Sequence, residues 1–164
     1  MADIKKSHLF NTGTGILNRD ACIVLVKTEW NAAIVDELEN GCRRVLLEYP
    51  EVKLITLTVP GAVEIPFIIQ RYFGETTGES TADAFIALGC VIRGGTPHFE
   101  YVCDTVTQGI LDLNLRLPVP VIFGVLTVND EQQAIDRIGG SHGHKGEEAA
   151  VTAIKMISLN RSFK

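Results

Sequence analysis

Residues 89–102 read GCVIRGGTPHFEYV. An apolar run ends at Val91–Ile92, and a cation, two glycines, a hydroxyl, a proline and an imidazole follow before the next apolar-periodic segment. A surface turn needs only the glycines. Gly94 and Gly95 let backbone N–H groups converge without a Cβ in the way. With Thr96 they stand just before a predicted helix start, where partial positive charge and unpaired donors favour phosphate. The plainer account is a strand-to-helix turn with a capping threonine, and this stretch alone leaves both open. His98 follows at the helix start. Its ordinary pKa of about 6.5 suits proton transfer near neutral pH. Alone it would be read as exposed or capping; beside an anion cradle it is a candidate base. Arg93 has no evident partner, and an inter-subunit contact is one role open to it.

Other candidates lie on neighbouring loops. Trp30, the only tryptophan, follows the first apolar run and could stack on a heterocycle or cover the core. Glu64 could accept from ligand hydroxyls or merely favour a helix start. Arg137 and Lys145 bracket GGSHGH, and both could reach an anion or be ordinary surface cations. His142 and His144 have no cysteine or carboxylate cluster beside them, so no zinc site is expected. The chain has no GxGxxG, Walker-type or GxSxG pattern.

These residues need elements to hold them. Ala21–Val26 is a continuous apolar run, the mark of a strand buried on both faces. Residues 31–48 alternate Ile34, Leu38, Val45 and Leu46 with charges at helical spacing, ending near Tyr49–Pro50. Lys53–Val59 predicts a second strand, Glu64–Phe73 a helix, and residues 74–83 a loop. Ala84–Val91 is a third strand, 98–116 a third helix, and Val121–Thr127 a fourth strand after Pro118 and Pro120. Asn129 or Asp130 can cap a short helix through Arg137. Residues 139–146 interrupt it, and Glu147–Leu159 makes the last helix. Strands joined by helices imply a three-layer α/β sandwich: a four-stranded parallel sheet in flavodoxin-like order with helices on both faces. In such sheets ligands bind beyond the carboxyl ends of the strands, where the loops above fall.

The 164 residues suit a single domain, 1–164, with residues 1–20 either flexible or adding an edge strand to a neighbour. With 46% hydrophobic and 21% charged residues a globular fold is expected. A formal charge of -5 argues against general nucleic-acid binding. MADIKKSHLF has no apolar run suited to a signal peptide, and no segment reaches the roughly 20 apolar residues of a membrane span, so a cytoplasmic protein is expected. Cys22, Cys42, Cys90 and Cys103 form no CxxC pair and read as reduced, mostly buried hydrophobes.

The separated motifs VPGAVEIP (59–66), LGCVIRGGTPHFEYV (88–102), PVIFGVLT (120–127) and AIDRIGGSHGHKGEEAAVTAI (134–154), with the closing LNRSF, together resemble the 6,7-dimethyl-8-ribityllumazine synthase family over about residues 12–163. The resemblance implies a transferase of riboflavin biosynthesis. It would condense 5-amino-6-(D-ribitylamino)uracil with 3,4-dihydroxy-2-butanone 4-phosphate, releasing phosphate and water, without metal or bound cofactor. It also implies a homo-oligomer of pentamers, stacked or closed into a sixty-subunit icosahedral capsid in some members, with sites shared between adjacent subunits. Riboflavin synthase would be a further partner. Among site residues it implies His98 for proton transfer, with Arg137 on the phosphate and Lys145 nearby. Trp30 would stack on the pyrimidine. Ala62, Val63 and Glu64 would hold the ring and the ribityl chain. Cys90, Val91 and Ile92 would line the pyrimidine, Gly95 and Thr96 the phosphate, and Phe123 would come from the adjacent subunit. Val63 stands where some members have an aromatic, and Cys90 where a hydroxyl residue is commoner. A non-catalytic flavin or mononucleotide binder, or a shell-forming homologue without activity, is the alternative.

Overall fold

Strand β1, Ala21–Thr28, is buried along nearly its whole length, as its apolar run predicts. It lies inside the parallel sheet β2-β1-β3-β4, with β2 at Val52–Val59, β3 at Ala84–Ile92 and β4 at Val121–Val128. The structure is a computed structural model that describes residues 7–11, 17 and 20–163. Most of the expectation for residues 1–20 falls on 1–6, 12–16 and 18–19, outside the described residues.

Successive side chains of a strand face opposite sides, and the two cores follow that rule. Ile23 and Leu25 of β1, with Ile86, Leu88 and Cys90 of β3, meet helices α1 (Ala32–Leu46) and α5 (Lys145–Arg161). Cys22, Val24 and Val26, with Phe85 and Ala87, meet α2 (Ile65–Glu75) and α3 (His98–Arg116). Tyr72 and Phe73 of α2 set their rings edge-on to Phe85, at centroid distances of 5.9 and 6.5 Å.

Small residues let the helices approach closely. A Cβ on Gly146 of α5 would lie 2.0 Å from the Leu38 carbonyl oxygen of α1. A Cβ on Gly41 would lie 2.1 Å from Cε1 of His144. On the other face, a Cβ on Gly109 would lie 2.4 Å from Pro66.

Several boundaries differ from the sequence reading. A short helix α4, Glu131–Ile135, is capped by Asp130, whose carboxylate accepts from the Gln133 N–H at 2.9 Å. The segment 139–146 is not a plain interruption. Ile138–Gly140 (β5) and Gly143–His144 (β6) form an antiparallel hairpin, turned by Gly139 and Gly143 at φ 110 and 80. Helix α5 begins at Lys145, two residues before the predicted start, because Nδ1 of His144 accepts the Glu147 N–H and caps it. Residues 74–83 are not all loop: α2 runs to Glu75 and Gly78–Ser80 forms a 3-10 turn. Similarly, Ala62–Glu64 is a 3-10 turn ahead of α2 rather than its beginning.

Candidate active site

The strand order reverses at β1, which has β2 on one side and β3 on the other. Ligand crevices form at such a point, outside the carboxyl ends of the strands. Thr28 is level with Val59, while β3 and β4 run on to the pair Ile92–Val128. The last two residues of β3, Val91 and Ile92, emerge half-buried from the core.

Asn31 ties the crevice together. It is the only non-glycine residue with positive φ among the described residues, at φ 57 and ψ 44, a region that asparagine tolerates better than most residues. Its Nδ2 donates to the Cys90 carbonyl at 2.8 Å, joining the ends of β1 and β3. This turn leaves the preceding Trp30 side chain 73% exposed, so the ring does not serve as core. Trp30 and Glu64 flank Gly61: a Cβ there would lie 3.5 Å from Trp30 Cδ1 and 3.1 Å from Glu64 Oε2. Ala62 is buried and Val63 is exposed on the same turn. Cys90 points into the α1–α5 core, and burial pushes its thiol up to about 11. It is therefore protonated at neutral pH and no nucleophile.

Across the crevice, α3 starts without a side-chain cap: Pro97 holds the N-cap position. Thr96 is exposed and makes no capping bond, which sets aside the capping-threonine account. His98 is the first residue of a 19-residue helix and is exposed. Neither Gly94 nor Gly95 has positive φ, and a Cβ on either would meet nothing within 4 Å. The chain's own fold does not demand these glycines.

A second group of candidates lies elsewhere. β4 is an edge strand, and its open side forms a groove of about 530 Å³. Phe123, Arg137 and Lys145 line it. Phe123 is 42% exposed. The Arg137 guanidinium has no hydrogen-bond or ion-pair partner among the described residues. Its carbonyl accepts from the Lys145 N–H at 2.8 Å, so the hairpin brings the two residues together. Lys145 pairs with Glu148 at 2.6 Å. No hydrogen bond or ion pair among the described residues joins Phe123, Arg137 or Lys145 to Trp30, Glu64 or His98.

The sequence gives Asn31 and Glu148 no site role and offers Asn129 only as a helix cap, whereas in the structure Asp130 caps α4 and Asn129 binds Arg93. Glu148 was accessible in principle, since a helix begun at Lys145 makes it an i,i+3 partner. Of the two histidines in GGSHGHKG, His144 is buried as a helix cap beside Glu37, at 3.3 Å, and His142 is exposed. Among the described residues no three metal-ligating side chains converge, and no helix is long and apolar enough to cross a membrane.

The family model for 6,7-dimethyl-8-ribityllumazine synthase matches residues 20–161. Relatives bearing that name include a Parabacteroides distasonis protein, 48% identical over 84% of this chain and 85% of its own. A Porphyromonas gingivalis protein is 47% identical over 87% of this chain and 88% of its own. One from Bacteroides fragilis is 45% identical over 84% of this chain and 97% of its own.

Proposed function

The chain belongs to the 6,7-dimethyl-8-ribityllumazine synthase family, and from that premise we propose how its residues divide the reaction. It is a transferase of riboflavin biosynthesis that condenses 5-amino-6-(D-ribitylamino)uracil with 3,4-dihydroxy-2-butanone 4-phosphate. The uracil's amine attacks the butanone carbonyl, and loss of water leaves an imine. Phosphate is then eliminated, and tautomerisation and ring closure with a second loss of water give the lumazine.

Trp30 stacks on the pyrimidine, Ala62 and Val63 border it, and Glu64 accepts from ribityl hydroxyls. Cys90, Val91 and Ile92 contribute backbone and apolar surface. The Gly95 and Thr96 amides, the Thr96 hydroxyl and Arg137 hold the phosphate and stabilise its departure. His98 carries protons between steps. Lys145 adds positive charge beside Arg137. Holding both substrates in reactive geometry supplies much of the acceleration.

The observation that carries this reading is the start of α3: a long helix with no side-chain cap, preceded by Thr96 and led by His98. Such an end offers donors and positive potential to a phosphate. Phe123, Arg137 and Lys145 lie along the open β4 edge instead. That separation favours a pocket completed by a neighbouring copy, in a pentamer or a multiple of pentamers. We place the assembly in the cytoplasm, with riboflavin synthase as a downstream partner.

The test is an absorbance assay with both substrates, alongside light scattering. His98→Ala should slow lumazine formation at least roughly tenfold with the assembly mass unchanged. An unaltered rate removes His98 from the mechanism, and a monomeric mass for the active enzyme rejects the shared pocket.

A further inference from the structure

Arg93 opens the loop that runs through Gly94, Gly95, Thr96 and Pro97 to α3. A Cβ on either glycine would meet nothing within 4 Å and residues 94–97 are exposed, so burial does not hold the loop in place. Its shape comes from its ends. The Arg93 N–H donates to the Val128 carbonyl at 2.9 Å, continuing the β3–β4 ladder by one bond. The guanidinium then spans the loop. One arm pairs with Glu100 in the first turn of α3. Nε donates to Asn129 Oδ1 at 3.1 Å, beyond the end of β4. The guanidinium carbon lies 4.2 Å from the centre of the Phe99 ring. Asn129 is itself held, because its N–H donates to Gln133 Oε1 at 3.0 Å in the capped start of α4.

We propose that Arg93 is a positioning residue: it closes the Gly94–Pro97 loop onto Phe99, Glu100 and Asn129, and so sets where the loop amides and His98 face the phosphate-bearing substrate. This rests on the phosphate-loop reading above. Arg93 does not itself bind the phosphate, since Glu100 neutralises it; that task falls to Arg137. An ammonium cannot replace it. Lysine brings a point charge with no planar fork, so it cannot pair with Glu100, bond Asn129 and stack on Phe99 together.

The test is steady-state kinetics on the full-length assembly for Arg93→Ala, Arg93→Lys and Asn129→Ala, with Arg137→Ala alongside. Arg93→Ala is expected to raise KM for the butanone phosphate roughly tenfold and to lower kcat, as misplaced groups do. KM for the uracil should stay within about twofold. Arg93→Lys should resemble Arg93→Ala, and Asn129→Ala should shift the same constants by less. Hydrogen exchange should quicken at residues 94–99 in Arg93→Ala and stay unchanged over β1 and β3.

Full rescue by Arg93→Lys would overturn the proposal, because charge alone would then suffice. Equal rises in both KM values, with exchange raised throughout, would also overturn it in favour of a general structural role. If Arg137→Ala raises the phosphate KM and Arg93→Ala does not, the positioning role fails alone. If neither moves it, the phosphate reading falls and the proposal with it.

Discussion

Replacing Gly41 by alanine tests how α1 meets the start of α5. In an exposed helix interior this change gains about 1 kcal/mol, because glycine is a poor helix former. Here the new Cβ would sit 2.1 Å from Cε1, 2.4 Å from Nδ1 and 2.9 Å from Nε2 of His144. The imidazole is buried and cannot yield without leaving its place. Leaving it loses the α5 cap, about 1 kcal/mol, and the bond to Glu37, about 1 kcal/mol. Forcing the displaced ring into the packed surroundings adds a further ~1–3 kcal/mol of strain. The balance is a loss of about 2–4 kcal/mol, or roughly 4–16 °C in Tm for a chain of this size. Urea unfolding of the intact assembly should show it. Gly74→Ala is the control, since a Cβ there meets nothing within 4 Å. In a His144→Ala background the ring is gone, and Gly41→Ala should turn stabilising. A Gly41→Ala protein as stable as the parent, or no coupling to His144, would refute the packing argument.

Three further outcomes are expected. Gly95→Ala should leave unfolding unchanged or slightly raised, because its φ is not positive and its Cβ would meet nothing; KM for the butanone phosphate should rise, and an unchanged KM rejects close approach of phosphate there. Trp30 fluorescence should fall when a pyrimidine analogue of the uracil substrate is added, and no response would count against stacking. Hydrogen bonds from Asn40 and Arg44, opposed by burial and helped by His144, hold the Glu37 carboxyl down from 4.5 to about 2. A depressed carboxyl stabilises the fold above its unfolded pKa and loses that contribution as pH falls through its folded one. Glu37→Gln should therefore flatten the decline in urea midpoint between pH 4.5 and about 2; parallel curves would contradict the assignment.

Much of the frame is legible in the sequence for physical reasons. Strand β1 is buried on both faces, so its apolar run has no polar alternation to confuse it. Helix α3 matches its predicted span, 98–116, because prolines stand close to both ends. The β5–β6 hairpin is not legible in the sequence because its turn glycines look like loop composition, and one member of the Ile138–His144 pair is a residue type with little strand preference. Helix α5 starts two residues earlier than its composition suggests because an imidazole caps it in place of serine, threonine, aspartate or asparagine. At the site, Thr96 and His98 stood out by type. The Arg93–Asn129 bond spans 36 residues, and no local pattern announces such a partner. The same holds for Asn31, whose amide reaches a carbonyl 59 residues away.

The bare beginning of α3 has a consequence for anyone who would make this protein sturdier. An aspartate at position 97 would set a carboxylate against the positive end of the helix and raise the melting point by a small increment. It would also set a fixed negative charge where the proposed substrate brings its own. Hardening the scaffold there would blunt the enzyme, so thermostable variants are better sought at the far ends of the strands.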